Sequence, residues 1–196
     1  MVQDRLRQQM TFLVEIDRMK EIFRQSSIYS GKRMENDAEH SWHVTVMAMV
    51  LREYAAEDVD IAHVLELLAT HDLIEIYAGD TFAYDEAAKQ DKYLRESASA
   101  DRLFALLPED QMPGFRALWE EYEARETPEA RFAAALDRLQ PLLSNWLNEG
   151  VNWKAHDVKA AAVRRRMAPM KESAPALWAL TEELISASIA RGYLSE

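Results

Sequence analysis

Apolar positions recur along this chain at intervals of three and four residues, and no run alternates apolar and polar residues with the Val, Ile, Thr and Tyr enrichment of strands. The pattern therefore predicts helices. A first amphipathic helix spans about Gln3 to Arg24, with Leu6, Met10, Leu13, Ile16, Met19 and Phe23 among its apolar positions. Gln25 to Glu35, with three serines and Gly31, reads as a loop. A second helix starts at Asn36 or Asp37 and runs to about Ala55, with Trp42, Val46, Met47, Met49, Val50 and Tyr54 facing inward.

Asp58 or Asp60 opens a third helix that is apolar on most of its circumference and ends at His71; it is the expected buried centre. Asp80 to Ala88 reads as a loop that settles into a helix from about Glu86 to Leu106, and Gly114 to Ala124 as a short helix. Thr127-Pro128-Glu129 is a helix start, with Thr as N-cap and Pro at the first helical position. Pro141 is expected to kink or end that helix. Asn148-Glu149-Gly150 is a break, and Val158 to Met167 and Pro175 to Arg191 are the last two helices. The reading is an all-α, single-domain helical bundle over residues 1–196.

Charge and composition narrow the function. A net charge of -11 argues against binding to a nucleic-acid polymer, which depends on clustered Lys and Arg, but leaves room for a small phosphorylated ligand held by one or two local arginines. No apolar run is long enough to span a membrane, and the polar start Met1-Val2-Gln3-Asp4-Arg5 lacks a signal peptide's apolar core, so a cytoplasmic protein is expected. With no cysteine, a metal would be held by His, Asp and Glu alone.

The stretch that suggests such a metal is His71-Asp72-Leu73-Ile74-Glu75, followed by Gly79-Asp80. Neighbours on a regular helix are turned apart by about 100°, but at a helix end they can converge. Glu75 follows His71 by four residues, so another helical turn brings it to the same side. An uncompensated charge closing the most apolar helix would cost several kcal/mol, so the pair needs a partner. His40, His43, His63, His156 and many carboxylates are available to complete the set.

Three motifs in order make the chain recognisable: Glu35-Asn36-Asp37-Ala38-Glu39-His40-Ser41-Trp42, then His71-Asp72-Leu73-Ile74-Glu75 with Gly79-Asp80, then Leu136-Asp137-Arg138-Leu139. Over about residues 10–145 the sequence resembles the HD-domain metal-dependent phosphohydrolases, and within them the branch of the bacterial 5'-deoxynucleotidases. Residues 151–196 are expected to pack on this motif-bearing core.

The resemblance implies that His40, His71, Asp72 and Asp137 hold one divalent ion, with Mn, Co, Fe, Ni, Zn and Mg all compatible with such ligands. It implies Glu75 as general base or water-orienting group, and Asp80 as a carboxyl serving the leaving oxygen or a substrate sugar. Arg24, or failing that Arg33, is the expected phosphate ligand. The branch's Arg-Trp pair is missing, because Arg18 is followed by Met19 and Arg24 by Gln25. His43 is expected near the site rather than on the metal. Trp119, Tyr122, Trp146, Trp153 and Trp178 are expected in the core, and Lys89, Lys92 and Arg95 on a solvated helix face. The substrate implied is a small phosphate ester such as a mononucleotide; hydrolysis of a pyrophosphate or cyclic phosphodiester, and nucleotide binding without turnover, are the other readings. The resemblance leaves a homodimer open.

Overall fold

In a computed structural model, residues 2–85 and 90–196 are described. The expected start of a helix at Glu86, and Lys89, lie outside them. Helix α1 (Val2–Glu15) passes into a 3-10 turn (Ile16–Glu21), and a short antiparallel hairpin follows, β1 (Phe23–Ser27) with β2 (Met34–Asn36). This corrects the expected helix to Arg24 and loop to Glu35. Ile22 turns extended, and the peptides beyond it pair across the hairpin instead of continuing a helix.

Helix α2 (Asp37–Leu51) starts with a capping box: Asn36 accepts from the Glu39 N–H, and Glu39 accepts from the Asn36 N–H. Asp60 caps α3 (Ile61–Thr70), and Thr127 caps α7 (Pro128–Leu147). Each cap contributes about 1 kcal/mol and sets where its helix begins. Between them lie α4 (Glu75–Ala78), α5 (Lys92–Phe104) and α6 (Met112–Ala124). After α7 come α8 (Val151–Ala155), α9 (Ala160–Met167), α10 (Met170–Ser173) and α11 (Pro175–Ala190). Pro141 does not end α7, which runs on through it to Leu147.

The centre is a three-helix contact of α2, α3 and α7 through Val44, Ala48, Val64, Leu67, Leu68, Leu136 and Leu139, all at most 1% exposed. Residues of the C-terminal helices, including Val163, Met170 and Ile185, belong to the same cluster. A second cluster joins Phe12 and Met19 to Leu73, Ile74, Leu103, Phe104 and Trp119. Of the α2 residues expected inward, Met47 is buried, but Trp42, Val46, Met49, Val50 and Tyr54 are exposed. Helix α2 is apolar on two sides, and the side bearing His40, Val44 and Ala48 is the one that meets α3 and α7. Among the described residues, no helix is long and apolar enough to cross a membrane.

Candidate metal centre

His40, His71, Asp72 and Asp137 converge from α2, the end of α3 and α7. His71 caps α3, so the chain leaves the helix there and Asp72 turns back towards the histidine. Asp72 Oδ2 lies 3.1 Å from His71 Nε2 and 3.9 Å from His40 Nε2. Asp137 Oδ1 lies 3.0 Å from His40 Nε2 and 3.8 Å from His71 Nε2.

Two features fit these residues to a metal ion. Ligands held at about 2.0–2.2 Å from one ion stand roughly 3–3.5 Å apart, close to the spacings found here. In addition, each histidine is committed through its other nitrogen. His71 Nδ1–H donates to Leu68 O at 2.9 Å, and Nε2, though close to Asp72, makes no hydrogen bond and is buried. His40 Nδ1 meets Gln140 Oε1 at 3.2 Å, and the Gln140 amide donates to Glu35 Oε1 at 2.8 Å. Such outer contacts fix the tautomer that leaves Nε2 free to ligate.

The charges agree. Burial alone would lower the His71 pKa, yet Asp72 and Asp137 hold it at about 10, so the cluster stabilises positive charge at that point. Burial would raise both of those carboxyls, and the histidines, with Arg24 beside Asp72, hold them below the usual range instead. His40 moves the other way, lowered by burial and then by Arg24.

Around the cluster stands a ring of carboxyls. Glu75, the first residue of α4, is buried with Oε2 unpartnered. Burial, then the charges of Asp72, Asp37 and Asp80, push its pKa well up. Gly79 adopts φ +75, which a side chain would strain, and turns the chain so that Asp80 shares a cavity with Asp72 and Glu75. Asp80 accepts from the Gln25 backbone, and burial raises its pKa. These directions reflect the chain's own charges; a dication in the cluster would draw the same carboxyls down.

Arg24 reaches this ring from β1. Its Nη1 lies 2.7 Å from Asp72 Oδ2 and 3.2 Å from Asp37 Oδ1, with its side chain only 11% exposed. Arg33 is not brought to the cluster; it pairs with Glu39 at 2.6 Å on the exposed edge of the hairpin. His43 lies behind it, 3.5 Å from Gln140 Nε2. Trp119, Tyr122 and Trp153 are buried, and the last two also line the cavity. Lys92 and Arg95 do not form the solvated face expected of them. Lys92 lines the cavity and pairs with Glu96 at 3.3 Å, and Arg95 donates to Ala78 O and Thr81 Oγ1, bracing the loop that carries Asp80.

Sequence reasoning missed several residues of the site. Asp37 is fully buried, its pKa pushed to about 7 by burial and then Asp72; on the sequence it looked like an ordinary acidic first-turn residue. Glu35 is also buried and raised to about 7 by that burial. Arg125, Arg138 and Arg166 line the cavity from three separate elements. Burial, then the charges of Arg125 and Arg166, bring the Arg138 guanidinium down to about 10. The spacing of Asp137-Arg138 was visible; the convergence on Arg125 and Arg166 was not. The cavity measures about 140 Å³ and is lined by Asp72, Glu75, Asp80 and Asp137 and also by Phe82, Tyr84 and Trp153.

Against known proteins, a family model described as HD domain matches residues 16–178. The 5'-deoxynucleotidase HDDC2 of Homo sapiens is 31% identical over 133 residues, 67% of this chain and 64% of that protein. Its counterpart in Mus musculus is 31% identical over 67% of this chain and 65% of its own length. The chain thus spans a little under two thirds of the length of these curated relatives. A solved structure described as a predicted metal-dependent phosphohydrolase, from Magnetospirillum magnetotacticum, is 50% identical with a TM-score of 0.94, covering 98% of this chain and 96% of that one. An HD-domain phosphohydrolase from Listeria innocua, 17% identical, shares the fold with a TM-score of 0.62 over 92% of this chain and 89% of its own.

Proposed function

The chain belongs to the HD-domain family, as its three motifs implied, and on that premise we propose that it is a metal-dependent phosphomonoesterase releasing phosphate from (deoxy)nucleoside 5'-monophosphates or similar small phosphate esters. The observation that carries this is the convergence of His40, His71, Asp72 and Asp137 at the end of a cavity into which Glu75, Asp80 and Arg24 also open. The names of the Homo sapiens and Magnetospirillum magnetotacticum relatives agree with it.

The four residues would hold one divalent ion, which when bound supplies a Lewis acid for a phosphate oxygen and lowers the pKa of a water. Arg24 would hold the phosphate oxygens, because a guanidinium offers paired N–H donors matched to such a group. Glu75, with one carboxylate oxygen free of other partners, accepts the proton of the attacking water. As the water oxygen bonds to phosphorus, the ester P–O bond breaks, and Asp80 gives a proton to the leaving oxygen. Asp80 is placed for this by sharing the cavity with Asp72 and Glu75. Phe82, Tyr84 and Trp153 offer aromatic surface to the leaving group.

Purified protein supplied with Mn2+, Co2+ or Mg2+ should release orthophosphate from a panel of mononucleotides. Asp72→Ala should abolish release, whereas Glu75→Gln should keep the metal and lose about a hundredfold to ten-thousandfold in kcat. Metal-loaded protein that is inert across the panel would sink the proposal. Release of pyrophosphate, or opening of a cyclic diester without orthophosphate, would move the activity to another phosphate bond.

A further inference from the structure

Three arginines that line the cavity have no ion-pair partner among the described residues. Arg125 follows α6 in a left-handed conformation, φ 54, with its Nε buried and unbonded. Arg138 stands next to Asp137 on α7 and is only 8% exposed. Arg166 lies in the last turn of α9. Among the described residues none of the three makes a hydrogen bond or an ion pair through its side chain, whereas Arg5, Arg24, Arg33, Arg116, Arg131 and Arg164 all pair with carboxylates. Glu96 and Glu123, the acidic residues nearby, face Lys92. Burying an unpaired guanidinium is costly, so the cluster calls for an anion that the described residues do not supply.

Its position says what the anion belongs to. All three arginines line both the cavity that ends at the metal centre and a second, adjoining cavity of about 470 Å³. Asp72, Glu75, Asp80 and Asp137 line only the first. The phosphate to be cleaved has to reach those carboxyls, where Arg24 already stands. The three arginines therefore meet a different part of the same molecule, on the leaving-group side. A carboxylate is satisfied by a single guanidinium fork, whereas a phosphate dianion has the charge and the oxygens for several.

Resting on the phosphomonoesterase reading, we propose that Arg125, Arg138 and Arg166 form a second anion site, and that the preferred substrate is a phosphomonoester whose leaving group carries a further phosphate. A nucleoside 3',5'-bisphosphate is one such molecule and a sugar bisphosphate another. They share the recognised chemistry and differ in whether a base also meets Phe82, Tyr84 and Trp153.

The test compares orthophosphate release by the metal-loaded protein from dAMP, deoxyadenosine 3',5'-bisphosphate and fructose 1,6-bisphosphate. At least one bisphosphate should exceed dAMP by about tenfold or more in kcat/KM, which corresponds to a single well-made charge-assisted contact. Arg125→Gln and Arg166→Gln should each reduce that preference about tenfold, chiefly through KM. The two positions are only half-buried, so at least one variant should fold where a change at Arg138 would not. Equal turnover of dAMP and both bisphosphates, or variants that lose activity on all three in parallel, would overturn the second site. If the protein turns over none of them, the phosphomonoesterase reading fails and the anion site is judged by binding alone. Calorimetry with inorganic pyrophosphate in EDTA should then show binding that Arg166→Gln weakens about tenfold, and binding that is absent or unchanged in the variant overturns the proposal.

Discussion

Gln140→Leu tests how the candidate metal centre is held from behind. The Gln140 side chain is completely buried and joins two groups: its oxygen meets His40 Nδ1 at 3.2 Å, and its amide donates to Glu35 at 2.8 Å. Leucine is of similar size and makes neither bond. His40 would then lose the contact that fixes its tautomer and ring orientation, and loss of an outer hydrogen bond of this kind lowers metal affinity by about tenfold to a hundredfold. In free energy that is roughly 1.4–2.7 kcal/mol. A separate cost arises at Glu35, left buried without its amide donor, on the order of 1–3 kcal/mol of stability whether or not metal is present.

The two effects separate in one experiment. Urea unfolding with and without a fixed saturating concentration of Mn2+ gives the metal-free loss directly. The gain on adding metal follows RT ln(1 + [L]/Kd), so it should shrink in the variant by the same 1.4–2.7 kcal/mol, about. Direct calorimetric titration checks the affinity independently. A variant that loses stability but binds Mn2+ as tightly as the parent would refute the role assigned to Gln140 and reduce it to a packing residue.

Glu96 is 2% exposed, and burial, opposed by Lys92, raises it to about 7. Its native carboxyl therefore binds a proton more tightly than the unfolded chain does, and the stability this brings is complete below about 4.5 and fades as pH rises through about 7. Glu96→Gln should remove that fade and gain on the parent between pH 5 and pH 8 by at most roughly 3 kcal/mol, read from urea midpoints at each pH. A difference that does not vary with pH would refute it. Gly150 has φ +71, and a Cβ there would run into the Tyr193 carbonyl. Gly150→Ala should therefore destabilise by about 2 kcal/mol or more, seen as a lower thermal midpoint. Trp42, Val46, Met49 and Val50 form an exposed stripe at helical spacing on α2, which a second copy of the chain would cover in a homodimer. Sedimentation equilibrium should then show a dimer that Trp42→Glu dissociates, and a monomeric parent would end that idea.

The four residues proposed to hold a metal were legible in the sequence because such chemistry admits few letters. A His-Asp pair closing an apolar helix, with His40 before it and Asp137 after it, is a sparse and ordered pattern. The helix starts were legible for a similar reason, since Asn36, Asp60 and Thr127 bond to their own first turns. The hairpin was not. Its strands are five and three residues long, rich in polar side chains, and β1 is fastened from outside, by Asn148 donating to Ile28 O at 3.1 Å and Ser144 to Ser27 O. Arg24 was named as a phosphate ligand while assigned to the wrong kind of element. On α2 the error was in direction, because apolar residues on two sides leave periodicity unable to choose the buried one. Asp37 and the three arginines were hidden because their meaning lies in neighbours 35 or more residues away in some cases, on elements whose packing no local pattern records.

Pro141 gives the site a mechanical property. It has no N–H to return to the carbonyl of residue 137, four places earlier, so the rung of α7 beneath Asp137 is missing while the helix continues on both sides. Upstream of the gap are Asp137, Arg138 and Gln140; downstream are Ser144 and Asn148, which grip the strand bearing Arg24. The helix is thus a jointed beam, with Asp137 of the candidate metal centre on one arm and the anchor of the strand that carries Arg24 on the other. The distance between Arg24 and the histidine–aspartate cluster is therefore set across the one rung of α7 that the proline leaves open.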